Sequence, residues 1–267
     1  MIIYLYSKHA SEKFNTGAAV LQIAYDLYPF LKTPLHFIRT WYIMFIRRKG
    51  GKIMAELNSG INPKVLILNG SPHEKGTTFA ALDELKRALL EEGVEAEIIH
   101  VGGLGLTGCV ACSACAKLGK CVYDDEVNVI AEKFKEADGL VLGSPVYYAS
   151  PNGTFLAILD RLFHSTKFDK NMKVGASVVA ARRGGCTASF DALNKYFTIS
   201  GMPIVSSTYW NQIHGKNADE AALDLEGMQT MRTLGKNMAF LIKAIKLAKE
   251  QLPELKRDEK VYTNFIR

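Results

Sequence analysis

The sequence predicts a doubly wound α/β domain over residues 61–247, built on a five-stranded parallel sheet with strand order 2-1-3-4-5. Three observations carry this prediction. Short apolar runs alternate with amphipathic helical stretches, as right-handed strand–helix–strand units require. The first run, Lys64-Val-Leu-Ile-Leu-Asn-Gly70, is apolar on both faces, like a strand covered on two sides. Polar turns with Gly, Ser and Pro follow several strands, at the sheet edge where such folds bind ligands.

The elements follow in order. Thr77–Glu92 reads as a helix, with Leu82, Leu85, Leu89 and Leu90 at helical spacing and Gly93 as its stop. Val94–Val101 is the second strand. After a long loop come a helix over Asp125–Ala137 and the third strand, Gly139–Gly143. A helix over Asn152–His164 leads to the fourth strand, Lys173–Ala180. Phe190–Thr198 is helical, Pro203–Ser207 is a short last strand, and Asp219–Leu247 is a long terminal helix. Residues 248–267 read as a polar tail.

Composition bounds the function. The 267 residues carry 33 Lys plus Arg and 27 Asp plus Glu, a net charge of +6, and are 48% hydrophobic. That is globular composition with chain enough for one large domain, and it excludes a disulfide miniprotein, a coiled coil or a disordered tail. Residues 1–53 hold eight basic residues against Glu12 and Asp26, which is the whole net charge. The remaining chain is balanced, so a nucleic-acid partner, which needs a basic folded face, is not expected.

The segment 1–60 is read as an extension outside the domain. Ten of the 26 aromatic residues lie in its first 53 positions, yet no apolar run reaches the roughly 20 residues of a membrane span. No small-residue cleavage site marks a signal peptide. A basic aromatic segment can lie on an anionic membrane surface. The favoured expectation is a mis-assigned start. Lys49-Gly-Gly-Lys-Ile-Met54 can be encoded by a purine-rich ribosome-binding tract ahead of a start codon at Met54.

Three loops carry the candidate ligand site. Gly70-Ser-Pro-His-Glu-Lys-Gly-Thr-Thr78 opens into a helix. Its backbone N–H groups, the hydroxyls of Ser71, Thr77 and Thr78, the closing Gly76, and the side chains of Lys75 and His73 suit a phosphate. A plain polar turn capped by Thr77 fits equally well. Gly143-Ser-Pro-Val-Tyr-Tyr148 sets Ser144, Pro145, Val146, Tyr147 and Tyr148 at the mouth of the sheet. Two adjacent aromatics there suit a flat ring, or else rim packing between helices. After strand 4, Arg182-Arg-Gly-Gly185 brings cations and the unhindered Gly184 and Gly185 to the same face, or else forms a solvated turn.

Asn69-Gly-Ser-Pro72 with Gly76-Thr-Thr78, then Gly143-Ser-Pro-Val-Tyr-Tyr148 and a helix ending Ile158-Leu-Asp-Arg161, resembles the NADPH-dependent FMN reductase-like branch of the flavodoxin-like flavoproteins. The resemblance covers residues 64 to about 246 and implies a three-layer flavodoxin-like sandwich. It implies FMN as cofactor, with Ser71, Gly76, Thr77 and Thr78 at its phosphate, Pro145–Tyr148 against its ring and Arg182–Gly185 on the other side. NAD(P)H is the implied co-substrate, and a homodimer or homotetramer the implied assembly. His73 departs from the pattern, where many relatives carry Arg, so phosphate charge falls more on Lys75.

Four of the five cysteines cluster as Cys109, Cys112, Cys115 and Cys121, within the loop 107–124. An odd total so tightly grouped argues for a reducing, cytoplasmic compartment and a ligand or redox role. Three thiols two residues apart can wrap a cuboidal [4Fe-4S] cluster, the fourth arriving after a glycine turn. Tetrahedral zinc can use the same thiolates. The motif is similar to that of the iron-sulfur flavoproteins, which implies the cluster; related reductases have such a loop without metal. Cys186 reads as a buried small hydrophobe.

No nucleophilic triad or zinc-protease motif is present, and a flavin enzyme needs neither. The expectation is an FMN-dependent oxidoreductase taking hydride from NAD(P)H and reducing a quinone, flavin or other small acceptor. The alternative is an electron carrier, in which a ferredoxin-like partner feeds the [4Fe-4S] cluster and then FMN. A noncatalytic flavin or phosphate binder is the third class. Trp210-Asn-Gln-Ile-His214 follows the last strand, and a lone His214 there is more often structural than catalytic.

Overall fold

The computed structural model describes residues 62–259, 261–263 and 265. The expectations for the N-terminal extension lie outside the described residues.

The domain is a five-stranded parallel sheet between two helical layers. In chain order its elements are β1 (Lys64–Asn69), α1 (Thr77–Glu91), β2 (Glu95–His100), α2 (Cys115–Leu118), α3 (Glu126–Glu136), β3 (Gly139–Tyr147), β4 (Ser150–Pro151), α4 (Gly153–Ser165), β5 (Val174–Ala181), α5 (Cys186–Ile199), β6 (Gln212–His214), α6 (Ala218–Leu223) and α7 (Leu225–Gln251). The strand order is β2-β1-β3-β5-β6, all parallel, with β4 antiparallel to the end of β3. This is the predicted doubly wound order.

Alternation within β1 divides the core. Val65 and Ile67 pack with Leu82, Leu85, Met231 and Leu234 under α1 and α7. Leu66 and Leu68 face Phe134, Phe155, Ile158 and Phe197 under α3, α4 and α5. Each such side chain, fully buried, contributes roughly 2 kcal/mol. Cys186 is buried, and burial pushes its thiol pKa up. No helix among the described residues is long and apolar enough to cross a membrane.

Three departures from the sequence prediction have local causes. The expected last strand at 203–207 meets the sheet only around Ile204, opposite Gly175. Gly175 donates to the Pro203 carbonyl at 2.8 Å and accepts from Val205 at 2.9 Å. Pro203 has no N–H to extend that ladder. The chain then leaves the sheet, with Ser207 Oγ 2.7 Å from both Tyr209 O and Asn211 Oδ1. It rejoins as β6, so the fifth strand comes in two pieces.

The single terminal helix is two. Asp224 ends α6, then caps α7 by accepting from Gly227 at 2.9 Å, while its other oxygen accepts the His214 N–H at 2.8 Å. Finally, α5 begins four residues early, at Cys186, because Gly185 at φ +95° turns the chain into it.

Candidate functional site

The loops after β1, β3 and β5 leave the same end of the sheet because the strands run parallel. They also touch. Gly70 donates to the Gly143 carbonyl at 2.8 Å, and the Asn152 side-chain amide donates to the Gly70 carbonyl at 2.8 Å. A Cβ on Gly185 would lie 2.9 Å from Ala149 Cα, so the third loop abuts the tip of the second.

The first loop is preorganised by its own polar groups. Asn69 Oδ1 accepts from Ser71 N–H at 3.1 Å, and its Nδ2 donates to the Glu74 carbonyl at 3.1 Å. Ser71 Oγ accepts from His73 N–H at 3.1 Å, which leaves its own hydrogen to donate. Gly76 caps α1 without any side-chain cap, so the first-turn N–H groups at Thr77 and Thr78 have no intrahelical acceptor. The Thr77 hydroxyl is directed differently from the sequence expectation: it donates to the Gly215 carbonyl at 3.4 Å. Thr77 therefore offers an anion its backbone N–H.

His73, Lys75, Arg182 and Arg183 are exposed around this edge, and none of their side chains has a hydrogen-bond or ion-pair partner among the described residues. Gly184 is exposed with open space about it.

The second loop is a tight hairpin. Val146 pairs with Pro151 and Tyr147 with Ser150, leaving Tyr148 and Ala149 as the two turn residues at φ 51° and 56°. Two left-handed residues make the type I′ turn that suits a twisted two-residue hairpin, here without glycine. Tyr147 is 43% exposed and Tyr148 fully so. Ser144 is buried; its hydroxyl accepts from Asn152 N–H at 3.0 Å and donates to the Pro145 carbonyl at 2.8 Å, bracing the turn from below. His214 is half-buried on β6, its backbone held by Asp224.

The cysteine segment starts against the first loop and ends against α4. His100 Nε2 lies 2.7 Å from the Ser71 carbonyl, where it can only donate. Gly102 N–H donates to the Asn69 carbonyl at 3.1 Å. Cys109, Cys112, Cys115 and Cys121 then line one cavity with Arg161 and Tyr123. Ala111 and Ser113, between the thiols, are left-handed at φ 54° and 59°, and Gly119 at φ 70° supplies the turn expected before Cys121. No three His, Cys, Asp or Glu side chains among the described residues group tightly enough to hold a single metal ion. A tetrahedral ion with bonds of about 2.3 Å needs such a grouping.

Sequence reasoning left the supports of Cys121 unassigned. Asn128 Oδ1 accepts the Cys121 N–H at 3.0 Å, and its Nδ2 donates to the Cys121 carbonyl at 3.1 Å and the Tyr123 carbonyl at 2.9 Å. Arg161 is only 1% exposed. It holds Asp125 with two bonds of 2.8 Å, donates to the Thr107 carbonyl at 3.0 Å, and reaches the Cys121 sulfur at 3.4 Å. Its guanidinium lies 5.0 Å from the Tyr123 ring centroid. Burial opposes its charge, but the hydrogen bonds and charges of Asp125 and Cys121 outweigh burial and raise its pKa. The available signal was a cation one turn after Ile158 and next to Leu162, on the apolar face of α4.

Residues 63–216 match the family model for NADPH-dependent FMN reductase. The chain is 35% identical over 191 residues to an iron-sulfur flavoprotein of Methanocaldococcus jannaschii, covering 68% of this chain and 99% of that protein. An iron-sulfur flavoprotein of Methanosarcina thermophila is 28% identical over 187 residues, covering 68% of this chain and 96% of its own. Among solved structures, RosB with bound 8-demethyl-8-formylriboflavin-5'-phosphate has a TM-score of 0.55 at 17% identity, covering 77% of this chain and 94% of that one. The NAD(P)H:quinone oxidoreductase of Methanothermobacter marburgensis has a TM-score of 0.53 at 15% identity, covering 67% and 98%. These two likenesses bear on the fold. Taken with the sheet order and the touching loops, the sequence matches establish that the chain belongs to the NADPH-dependent FMN reductase family, among relatives named iron-sulfur flavoproteins.

Proposed function

We propose that this protein is an FMN-dependent oxidoreductase of the iron-sulfur flavoprotein kind, passing electrons between an iron-sulfur cluster on its four clustered cysteines and FMN at the sheet edge. The observation that carries the flavin half is the set of unpartnered donors at one edge: the uncapped start of α1, the Ser71 hydroxyl, and the free side chains of Lys75, His73 and Arg182. Helix N-termini and backbone N–H concavities bind phosphate. Residues 54–267 are otherwise charge-balanced, so unpaired cations here favour an anionic ligand.

Ser71, Gly76, Thr77 and Thr78 hold the phosphate. Pro145, Val146, Tyr147 and Tyr148 lie along the ring, and Gly184 and Gly185 let the third loop approach it. FMN, when bound, supplies the redox chemistry, accepting a hydride or single electrons. Asn69, Asn152 and His100 engage the carbonyls of Glu74, Gly70 and Ser71, which leaves the Thr77 and Thr78 N–H groups for the anion.

The cysteine half rests on four thiols lining one cavity beside a buried guanidinium whose Nε is unpaired. A cuboidal cluster takes four cysteine thiolates, each on its own iron, and so does not need the tight grouping of a single ion. Cys109, Cys112, Cys115 and Cys121 are its ligands.

Hydride supply from NAD(P)H is the second reading, favoured by the family whose model spans residues 63–216. The acceptor is a small molecule such as a quinone or flavin. On the carrier reading, a ferredoxin-like partner supplies single electrons instead.

An anaerobic absorption spectrum with flavin, iron and sulfide analysis tests both halves. Bound FMN with iron and sulfide is expected, and Cys112→Ser should lose iron while keeping flavin. Protein that binds no FMN after supplementation overturns the whole proposal. Flavin without iron overturns the cluster alone and leaves the NAD(P)H-linked reading, which NADPH oxidation then tests.

A further inference from the structure

Arg161 is among the largest side chains in the domain to be fully buried, and its hydrogen bonds do not account for its position. A buried cation needs a carboxylate partner, and Asp125 supplies one in the bidentate geometry that suits a guanidinium. That pairing uses one N–H on each terminal nitrogen. A third N–H goes to the Thr107 carbonyl and a fourth toward the Cys121 sulfur at 3.4 Å. The fifth, on Nε, is buried with no partner, in the wall of the cavity that the four cysteines line. A stranded buried donor is destabilising, so a purely structural ion pair is better served by a position with all five N–H groups bonded.

Asp125 is doubly committed. It caps α3 by accepting from Val127 N–H at 3.1 Å while neutralising Arg161. Asn128, one turn into α3, clamps the backbone of Cys121 on both sides. Together α3 and α4 fix one cysteine backbone and set one cation against its sulfur.

We propose that Arg161 is a positioning residue that sets the reduction potential of the iron-sulfur group, with Asp125 as its opposing charge. This rests on the cluster reading of the four cysteines. Taking up one electron adds one negative charge to the group and forms or breaks no bond. Arg161 stays protonated throughout, so no proton moves with it. A cation hydrogen-bonded to a ligand sulfur stabilises the more negative, reduced form and raises the potential. Asp125 at 2.8 Å partly cancels that field.

The two residues therefore act with opposite sign, which a structural pair would not. The test is a dye-mediated dithionite titration, followed by EPR, of the full chain reconstituted with FMN, iron and sulfide. R161Q should shift the midpoint to more negative potential, D125N to more positive, and R161K, which keeps the charge but loses the two-pronged hold on Asp125, should shift it less than R161Q. Asn at 125 keeps the cap on α3. A loaded R161Q with the wild-type potential overturns the inference alone. Wild type that holds FMN but neither iron nor sulfide overturns the cluster reading and this role with it. Where R161Q takes up no iron, D125N decides: a positive shift supports the role and an unmoved potential overturns it.

Discussion

Asn152, the N-cap of α4, donates its side-chain amide to the Gly70 carbonyl at 2.8 Å while its Oδ1 accepts from Thr154 N–H at 3.1 Å. One buried side chain thus begins a helix and ties the second loop to the first. Asn152→Ala should cost about 2 kcal/mol, roughly half from the lost cap and half from a stranded buried carbonyl. Asn152→Ser keeps a cap acceptor and loses the tie to Gly70, so about half that loss is expected. Urea unfolding separates the two, and FMN titration should show weaker binding in both, because Gly70 opens the phosphate-type loop. Wild-type stability and affinity in Asn152→Ala would show that the tie does not matter.

Gly102 packs against the same loop from the cysteine side. A Cβ there would lie 2.2 Å from the Ser71 carbonyl oxygen and 2.5 Å from that of Gly70. Those are backbone atoms, so the loop must move as a whole. Gly102→Ala should destabilise by about 1–3 kcal/mol, the usual range for overpacking, and raise the FMN dissociation constant. Gly153→Ala is the control, since a Cβ there meets nothing within 4 Å. Equal FMN binding in both variants would remove Gly102 from the site's architecture.

The first two strands, the start of the third, the fourth and the positions of the three loops were legible because each is a local pattern: an apolar run, a glycine or proline turn, a helix start; the run of β3 on from Gly143 to Tyr147, paired with β4, was not. What stayed hidden depends on distant partners. Arg161 gains its meaning from Asp125, 36 residues away, and no periodicity reports that pairing. The Thr77 hydroxyl is drawn to Gly215, 138 residues on, so residue type alone misplaced it. The fifth strand was placed by its apolar run at 203–207, but hydrogen bonding to β5 resumes at Gln212, where the sequence is polar. The break at Asp224 was masked because α6 and α7 carry nearly continuous helical composition.

The hairpin tip stores backbone strain. Tyr148 and Ala149 both sit in the left-handed region, which costs an L-residue roughly 1–2 kcal/mol. Ala149→Gly relieves that cost but loosens the unfolded chain, so a net gain of up to about 1 kcal/mol is expected. Ala149→Val should have the opposite sign, because branching at Cβ disfavours the conformation. Guanidinium midpoints measure both. Destabilisation by Ala149→Gly would show that the turn is held by contacts of the Ala149 methyl group.

Alkaline pH probes the contact between α4 and α5. The Tyr196 hydroxyl, on α5, donates to Asp160 Oδ1 on α4 at 2.5 Å. Burial first, then this hydrogen bond and the Asp160 charge, push the tyrosine pKa well above its ordinary value of 10.0. The folded state thus holds the proton more tightly than the unfolded chain does. By linkage, that contribution is complete below pH 10 and drains away as the unfolded tyrosine ionises and pH climbs toward the folded pKa. Tyr196→Phe loses the hydrogen bond at neutral pH but has no proton to lose. The difference in urea midpoint between wild type and Tyr196→Phe should therefore shrink from pH 9 to pH 11.5. Lysines that neutralise in the same range affect both proteins alike and cancel in the difference. A constant difference over that range would mean that the hydroxyl titrates equally in both states, and that Asp160 does not hold its proton.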